Sequence, residues 1–334
     1  MSTSSIEELK NLIRKIEFNK TEPELLTELV RNAMKAGEME RERLKQVSKK
    51  SHELFTVLKN KSFFRRIEND EQTVNELKRV PIGAVDGSFQ VVGGVGGRWY
   101  VILGVAQVIA ENGFTLQPAI KVGGSIVPLE AADEGVLHRE SEILMMFGEI
   151  KALRGVADIL GDKGESYILI DGPVIDPPLY ANKEYVEDRV NVLRFCYERK
   201  VDIVRSESYP VYTSPINYEE GCDDKDRVTL TYNMYKDKGL TVYYSYYKPS
   251  LRGKVFRVEY ASFEALSKQK VVEKFDRILG IINQVWTLPG MDEPLLITIA
   301  HNKCNVRRGA AETIYYEIMT RALSEGYLHL WLES

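Results

Sequence analysis

The chain has 334 residues, 44% of them hydrophobic and 28% charged, with a net charge of −4. That length is enough for one large core or two smaller ones, and the near-balanced charge excludes binding to nucleic acid through bulk positive charge, so any basic surface must be local. Three cysteines (Cys196, Cys222 and Cys304) without a CxxC pair exclude a disulfide framework or a zinc ribbon; the longest uncharged apolar run, residues 99–110, is too short for a bilayer, and the polar N-terminus is not a signal peptide, so a cytoplasmic protein is expected.

Residues 5–67 read as helical. Ile6, Leu9, Leu12 and Ile13 recur at helix spacing, as do Leu25, Leu26, Leu29 and Val30. Thr21 with Glu24 fits a capping box, with Pro23 in the first turn. Residues 39–50 are polar almost all round, which suits a surface helix or a bridge to a partner. Residues 1–79 are therefore expected to form an N-terminal arm, either an oligomerisation and docking element or a helical cover over the core. Residues 80–334 form the main domain.

The main domain opens with a short buried strand around Val85. A glycine cluster follows (Gly93, Gly94, Gly96, Gly97), then a long strand over residues 99–109. The glycines fit neither GxGxxG nor GxxxxGK[ST], so a hairpin turn is expected rather than a phosphate loop. A long helix is predicted over residues 134–160, stopped by Gly161 and Gly164. Residues 166–171 form the next strand, 183–199 a helix and 202–206 a strand. The stretches 228–232, 241–247 and 255–261, rich in Tyr and Val, read as antiparallel strands. Helices at 263–284 and 306–324 close the chain, with a strand at 295–300 between them. Mixed strands and helices predict an α/β fold.

Two segments share one design. GAVDGS (residues 83–88) and YILIDGP (167–173) each run an apolar strand into Asp-Gly. Each would end a buried strand on a carboxylate, Asp86 or Asp171, with a glycine that turns the chain away. A lone aspartate of this kind is an ordinary turn residue. Two in matched settings suit a hard divalent cation, which takes oxygen ligands. A third carboxylate should come from the helix between them, where Glu140, Glu142 and Glu149 are candidates. The strand climbs roughly 17 Å at ~3.3 Å per residue. A helix antiparallel to it needs about a dozen residues to match that height. Counting back from Leu160 lands near Glu149, with Glu142 in reserve two turns earlier. The plain alternative is a solvent-facing glutamate.

His301 follows the run 295–300 and is a candidate metal ligand or acid/base, the alternative being a helix-start residue. Lys303, Arg307 and Arg308 come next, and cations at a helix N-terminus oppose the macrodipole unless they face phosphates. A second basic segment interleaves Lys248, Arg252, Lys254 and Arg257 with Tyr246, Tyr247 and Tyr260. That composition suits single-stranded nucleic acid, and suits strand packing equally.

Taken in order, AVDGS, a helical glutamate in FGEIKAL, ILIDGP, VFRVEY and IAHNKCNVRR resemble the NurA nuclease family over roughly residue 80 to the C-terminus. The resemblance implies an RNase H-like mixed sheet flanked by helices. It implies a deoxyribonuclease dependent on Mn²⁺ (or Mg²⁺), a 5′ to 3′ exonuclease with single-strand endonuclease activity. It also implies a homodimer that works with a HerA-type hexameric translocase in DNA end resection. Carried onto this chain, the catalytic and metal-binding residues are Asp86, Glu149, Asp171 and His301, holding two ions. A family lysine is matched by Arg205 in DIVRSES, and Arg differs from Lys in hydrogen-bond geometry. Arg205, Lys303, Arg307 and Arg308 would offset phosphate charge. An Asp-nucleophile phosphatase is disfavoured because Ala84 stands at its nucleophile position, and an ATPase by the missing Walker A motif. The non-enzyme alternative is an inactive RNase H-like scaffold that binds DNA or a translocase.

Overall fold

The computed structural model describes residues 23–60, 70–94, 97–114, 117–131, 133–175, 179, 181–209, 230–232, 239–247, 255–288, 291 and 293–323. The chain divides into two compact units, Met1–Arg65 and Arg66–Ser334. Within the first, helix α1 (Pro23–Asn60) runs 38 residues. Its polar stretch is laced by local ion pairs, Arg43 with Glu40 and Lys45 with Glu42. Such exposed pairs add only a few tenths of a kcal/mol each. The capping box expected at Thr21 lies partly outside the described residues, and Ile6, Leu9, Leu12, Ile13, Cys222 and the basic residues at 248–254 lie wholly outside them.

The second unit is built on one eight-stranded sheet in the order β3-β2-β1-β4-β5-β8-β7-β6. Its strands are β1 (Ile82–Gly93), β2 (Arg98–Ala110), β3 (Ala119–Glu130), β4 (Ser166–Ile170), β5 (Val201–Tyr209), β6 (Leu230–Tyr232), β7 (Thr241–Tyr247) and β8 (Val255–Ser262). β1, β4 and β5 are parallel to one another, and the outer pairs are antiparallel. The helices are α2 (Glu71–Leu77), α3 (Glu134–Leu160), α4 (Lys183–Glu198), α5 (Lys268–Gly280), α6 (Leu295–Cys304) and α7 (Arg308–Leu323). α3 and α4 pack on one face of the sheet around Leu153, Val156, Ile168, Ile170, Val190 and Ile203. α5 and α6 pack on the other around Ala84, Leu169, Val258, Phe275, Ile297 and Trp286. The expected mixed α/β fold, a sheet flanked by helices, is what the chain adopts.

β1 and β2 form the expected hairpin across the glycine cluster, with Gly93 and Gly94 at φ +106° and +103°. β1 is not short: it pairs with β2 along all twelve residues, while β4 flanks only its first part. The edge strand β3 has no counterpart among the predicted elements. The helix predicted from residue 263 begins at Lys268, capped by Ser267, and ends in a π-helical stretch, Ile281–Trp286.

The run at residues 295–300 is helical, not a strand. Leu296, Ala300 and Cys304 are all buried, at a spacing of four, with Ile297 beside them. That stripe seats α6 on the sheet, and burial overrides the strand preference of the β-branched residues Ile297, Thr298 and Ile299. His301 and Lys303 consequently sit in the last turn of a helix, where positive charge is favourable. Only Arg307 and Arg308 stand at a helix start, that of α7.

Candidate metal centre

The register between β1 and β4 sets the site. Val85 pairs with Ile170, and the next residues on the two strands are Asp86 and Asp171. The carboxylates therefore stand side by side at the point where β4 ends and β1 continues. Asp86 is within a strand rather than at its end, and its backbone pairs with Ala106 on β2.

From the α6 side comes His301, whose Nδ1 lies 3.0 Å from Asp86 Oδ2. One ligand atom each from Asp86, Asp171 and His301 falls within 4.8 Å of the others. Two carboxylates and an imidazole converging so closely match the donor set and spacing for one divalent ion of the Mg²⁺ or Mn²⁺ class. His301 is open to solvent at 57% side-chain exposure, whereas Asp86 is 7% exposed. The cluster thus has a buried floor and an accessible mouth.

Glu149 arrives from the opposite face of the sheet, on α3. It is 3% exposed and packs against Gly87, one residue past Asp86. Height counting along the helix selected this residue, and the structure buries it, while Glu140 stays exposed and Glu142 half-buried. Burial pushes the Glu149 carboxyl up to about 8; Arg189 opposes the rise, and Asp86 and Asp171 add to it. Asp86 is also raised, chiefly by burial, with a hydrogen bond from Cys304 opposing and Asp171 reinforcing the shift. The raised Asp86 and Glu149 favour holding a proton or a cation, and Asp171 contributes to both shifts.

The two Asp-Gly steps do different work. Gly172 has φ +79°, so the chain turns there as expected, with its N–H donating to Asp171 Oδ1 at 3.1 Å. Gly87 does not turn the chain. Its missing side chain makes room: a Cβ there would lie 2.9 Å from Glu149 Oε1 and 2.9 Å from Met145 Cγ. Gly83, four residues earlier, likewise admits Val156 and Leu160 of α3. Gly87→Ala should therefore push Glu149 away from the aspartates. The expected result is a fall in stability of about 1–3 kcal/mol and a loss of metal-stimulated activity, read by thermal melting and a cleavage assay.

Two supporting residues escaped the sequence reading. Ser88, two along from Asp86 on the same face, donates to the carbonyl of Cys304 and accepts from the Val306 N–H at 3.0 Å. It fastens the end of α6 to β1 and so fixes His301. Cys304 Sγ lies 3.3 Å from Asp86 Oδ2. Burial and the neighbouring carboxylate hold its thiol well above the ordinary range, so it is a donor and not a thiolate ligand. The spacing of Ser88 from Asp86, and of Cys304 from His301, was the available signal.

The basic residues divide. Lys303, Arg307 and Arg308 are exposed at the junction of α6 and α7, with Arg308 bonded to Glu312 at 2.9 Å. Arg205 does not face solvent: it is 6% exposed, and Nη1 pairs with Glu259 Oε1 at 2.9 Å. The expectation that it offsets phosphate charge fails on that burial. Arg257 of the Tyr-rich segment is likewise buried, with Nη2 2.8 Å from Glu259 Oε1 and its guanidinium over the Tyr244 ring.

The sequence matches no family model and no curated protein. Among solved structures, the chain is similar to endonuclease V of Ciona intestinalis, bound to a 24mer DNA containing an inosine followed by a ribo-adenosine. Identity is 11%, covering 73% of this chain and 95% of that one, at a TM-score of 0.33. Endonuclease V of Bacillus subtilis gives 12% identity, 76% and 97% coverage, and a TM-score of 0.33. The catalytic domain of human endonuclease V gives 13%, 81% and 98%, and 0.31. Likenesses at these scores assign no activity; the functional reading stands on the site's own chemistry.

Proposed function

We propose that this chain is a metal-dependent deoxyribonuclease of the NurA type. The observation that carries the reading is the convergence of Asp86, Asp171 and His301 within 4.8 Å, backed by the buried Glu149. The motif resemblance narrows the chemistry to DNA phosphodiesters, with 5′ to 3′ exonuclease and single-strand endonuclease activity.

Asp86 and Asp171 would hold the ions, and His301 and Glu149 would complete their shells. Bound divalent ions supply charge stabilisation for the phosphoryl group and lower the pKa of an attacking water. Asp86 is fixed for this role by the Gly87 N–H at 2.9 Å and by Cys304. Lys303 and Arg307, exposed next to His301, would receive the phosphate backbone.

The test is direct. End-labelled single- and double-stranded DNA is incubated with Mn²⁺, Mg²⁺ or a chelator, comparing wild type with Asp171→Ala. Cleavage that requires the metal and the aspartate is expected. Wild type that cuts neither substrate with either ion would leave the inactive DNA-binding or translocase-docking scaffold as the better reading.

The same resemblance extends the proposal to partners: a homodimer and a HerA-type hexameric translocase, acting in end resection, with residues 1–79 as the arm for docking or dimerisation. Light scattering on the purified protein is expected to give twice the chain mass. A clean monomer would count against the NurA-type assembly.

A further inference from the structure

Three residues past Asp171 the chain is gripped on both sides of a single residue, Val174. The Val174 N–H donates to Glu259 Oε2 at 3.0 Å, and the Val174 carbonyl accepts from Arg189 Nε at 2.7 Å. Glu259 is itself fixed by two guanidiniums, Arg205 at 2.9 Å and Arg257 at 2.8 Å, both on its Oε1. Arg189 is 1% exposed, Glu259 3%, Arg205 6% and Arg257 8%. The grip joins α4, β5 and β8 to the segment that follows β4.

Such an arrangement is costly as plain packing. Each buried ion loses several kcal/mol of hydration, and an apolar core of the same volume is often at least as stable. Arg189 does not recover its full set of hydrogen bonds: its Nη1 has no partner among the described residues. The cost falls at the point where the chain leaves Asp171. Gly172, at φ +79°, turns the chain between them, and Val174 and Ile175 are buried on the α3/α4 face, while Asp171 converges with Asp86 and His301 on the α6 side. Because the Gly172 N–H holds Asp171 Oδ1, the direction of the Asp171 carboxylate depends on what fixes the chain beyond it.

We propose that Glu259 and Arg189 are positioning residues that aim Asp171 at the cation by clamping the backbone N–H and the carbonyl of Val174. The proposal rests on the reading of Asp171 as a metal ligand. Supports of this kind around metal ligands typically change affinity or activity by 10–100-fold.

Glu259→Gln keeps the shape and weakens the grip of both arginines and of the Val174 N–H. Mn²⁺ binding by calorimetry is expected to weaken about tenfold or more, with kcat for DNA cleavage lowered and KM for DNA unchanged. Lys274→Met is the control. It breaks the ion pair with Asp202 away from the site, so it should lower the melting temperature and leave Mn²⁺ affinity alone. Arg189→Lys, which can still donate to the Val174 carbonyl, should bind Mn²⁺ more tightly than Arg189→Met. Hydrogen exchange on the wild type needs no variant to fold: the Val174 amide should be protected like the sheet core. Equal Mn²⁺ affinity in wild type and Glu259→Gln overturns the clamp, as does a Val174 amide that exchanges like an exposed loop, or an equal affinity loss in Lys274→Met. Wild type that binds no Mn²⁺ and cuts no DNA removes the metal-site reading itself, a result distinct from a clamp failure in a protein that does both.

Discussion

Asp86→Asn is expected to reduce metal-dependent DNA cleavage by at least ~100-fold without loss of the fold. The carboxylate is buried, stands beside Asp171, and faces His301 Nδ1 at 3.0 Å. A neutral amide keeps the oxygen that accepts from the Gly87 N–H, so the local backbone has no reason to move. What disappears is an anionic oxygen ligand and half of the like-charge pair. A buried aspartate whose proton affinity is raised by burial and by Asp171 destabilises the metal-free protein when it ionises. The Asn variant should consequently melt at or above wild type without metal, and show little of the stabilisation that Mn²⁺ gives wild type. Calorimetry, melting with and without Mn²⁺, and a cleavage time course read all three effects. Cleavage within threefold of wild type would rule Asp86 out of the centre.

How much of this centre the sequence carried depends on how far each interaction reaches along the chain. Asp86 and Asp171 were legible because apolar runs fix strand faces, and Asp-Gly marks the first polar position beyond them. The burial of Glu149 against Gly87 was within reach because helix and strand rises are constants, so height could be counted. His301 was found by its basic and apolar surroundings yet placed after a strand, since a six-residue apolar run has no decisive period; the stripe through Leu296, Ala300 and Cys304 becomes visible only when the window extends past the histidine. Strand β3 was missed for a different reason. It lies at the sheet edge with almost every residue exposed, and its Gly123, Gly124 and Pro128 break any alternation. Gly87 read as a turn because DG usually turns. Only the approach of α3 reveals that it is a vacancy for Glu149. Arg205 and Glu259 are 54 residues apart, and no local pattern announces that β8 will lie beside β5 and convert a candidate phosphate ligand into a buried ion pair.

Glu149→Gln should separate stability from activity. In the folded protein the carboxyl is pushed up to about 8, from an ordinary value of 4.5. Below pH 4.5 the group is protonated folded or unfolded, and its contribution to stability is fully present. Between 4.5 and about 8 the unfolded chain loses the proton while the folded chain keeps it, so stability falls as pH rises, by at most ~1.4 kcal/mol per pH unit. Above that window both states are ionised and the loss is complete. Glutamine stays neutral throughout, so the metal-free variant should match wild type near pH 4.5 and melt several degrees higher near pH 8. Mn²⁺ should reverse the order. A cation favours the ionised carboxylate, and binding below pH 8 must displace the proton, so its stabilisation of wild type should grow as pH approaches 8. The variant should lack that growth and lose cleavage. Melting curves at a series of pH values, with and without Mn²⁺, give the whole comparison. A variant that melts no higher than wild type at pH 8 would mean that Glu149 carries no buried charge for an ion to compensate. A site that stays costly until a cation arrives would couple folding to metal loading, and this one carboxylate, facing Gly87 from the far side of the sheet, would set the pH at which the coupling begins.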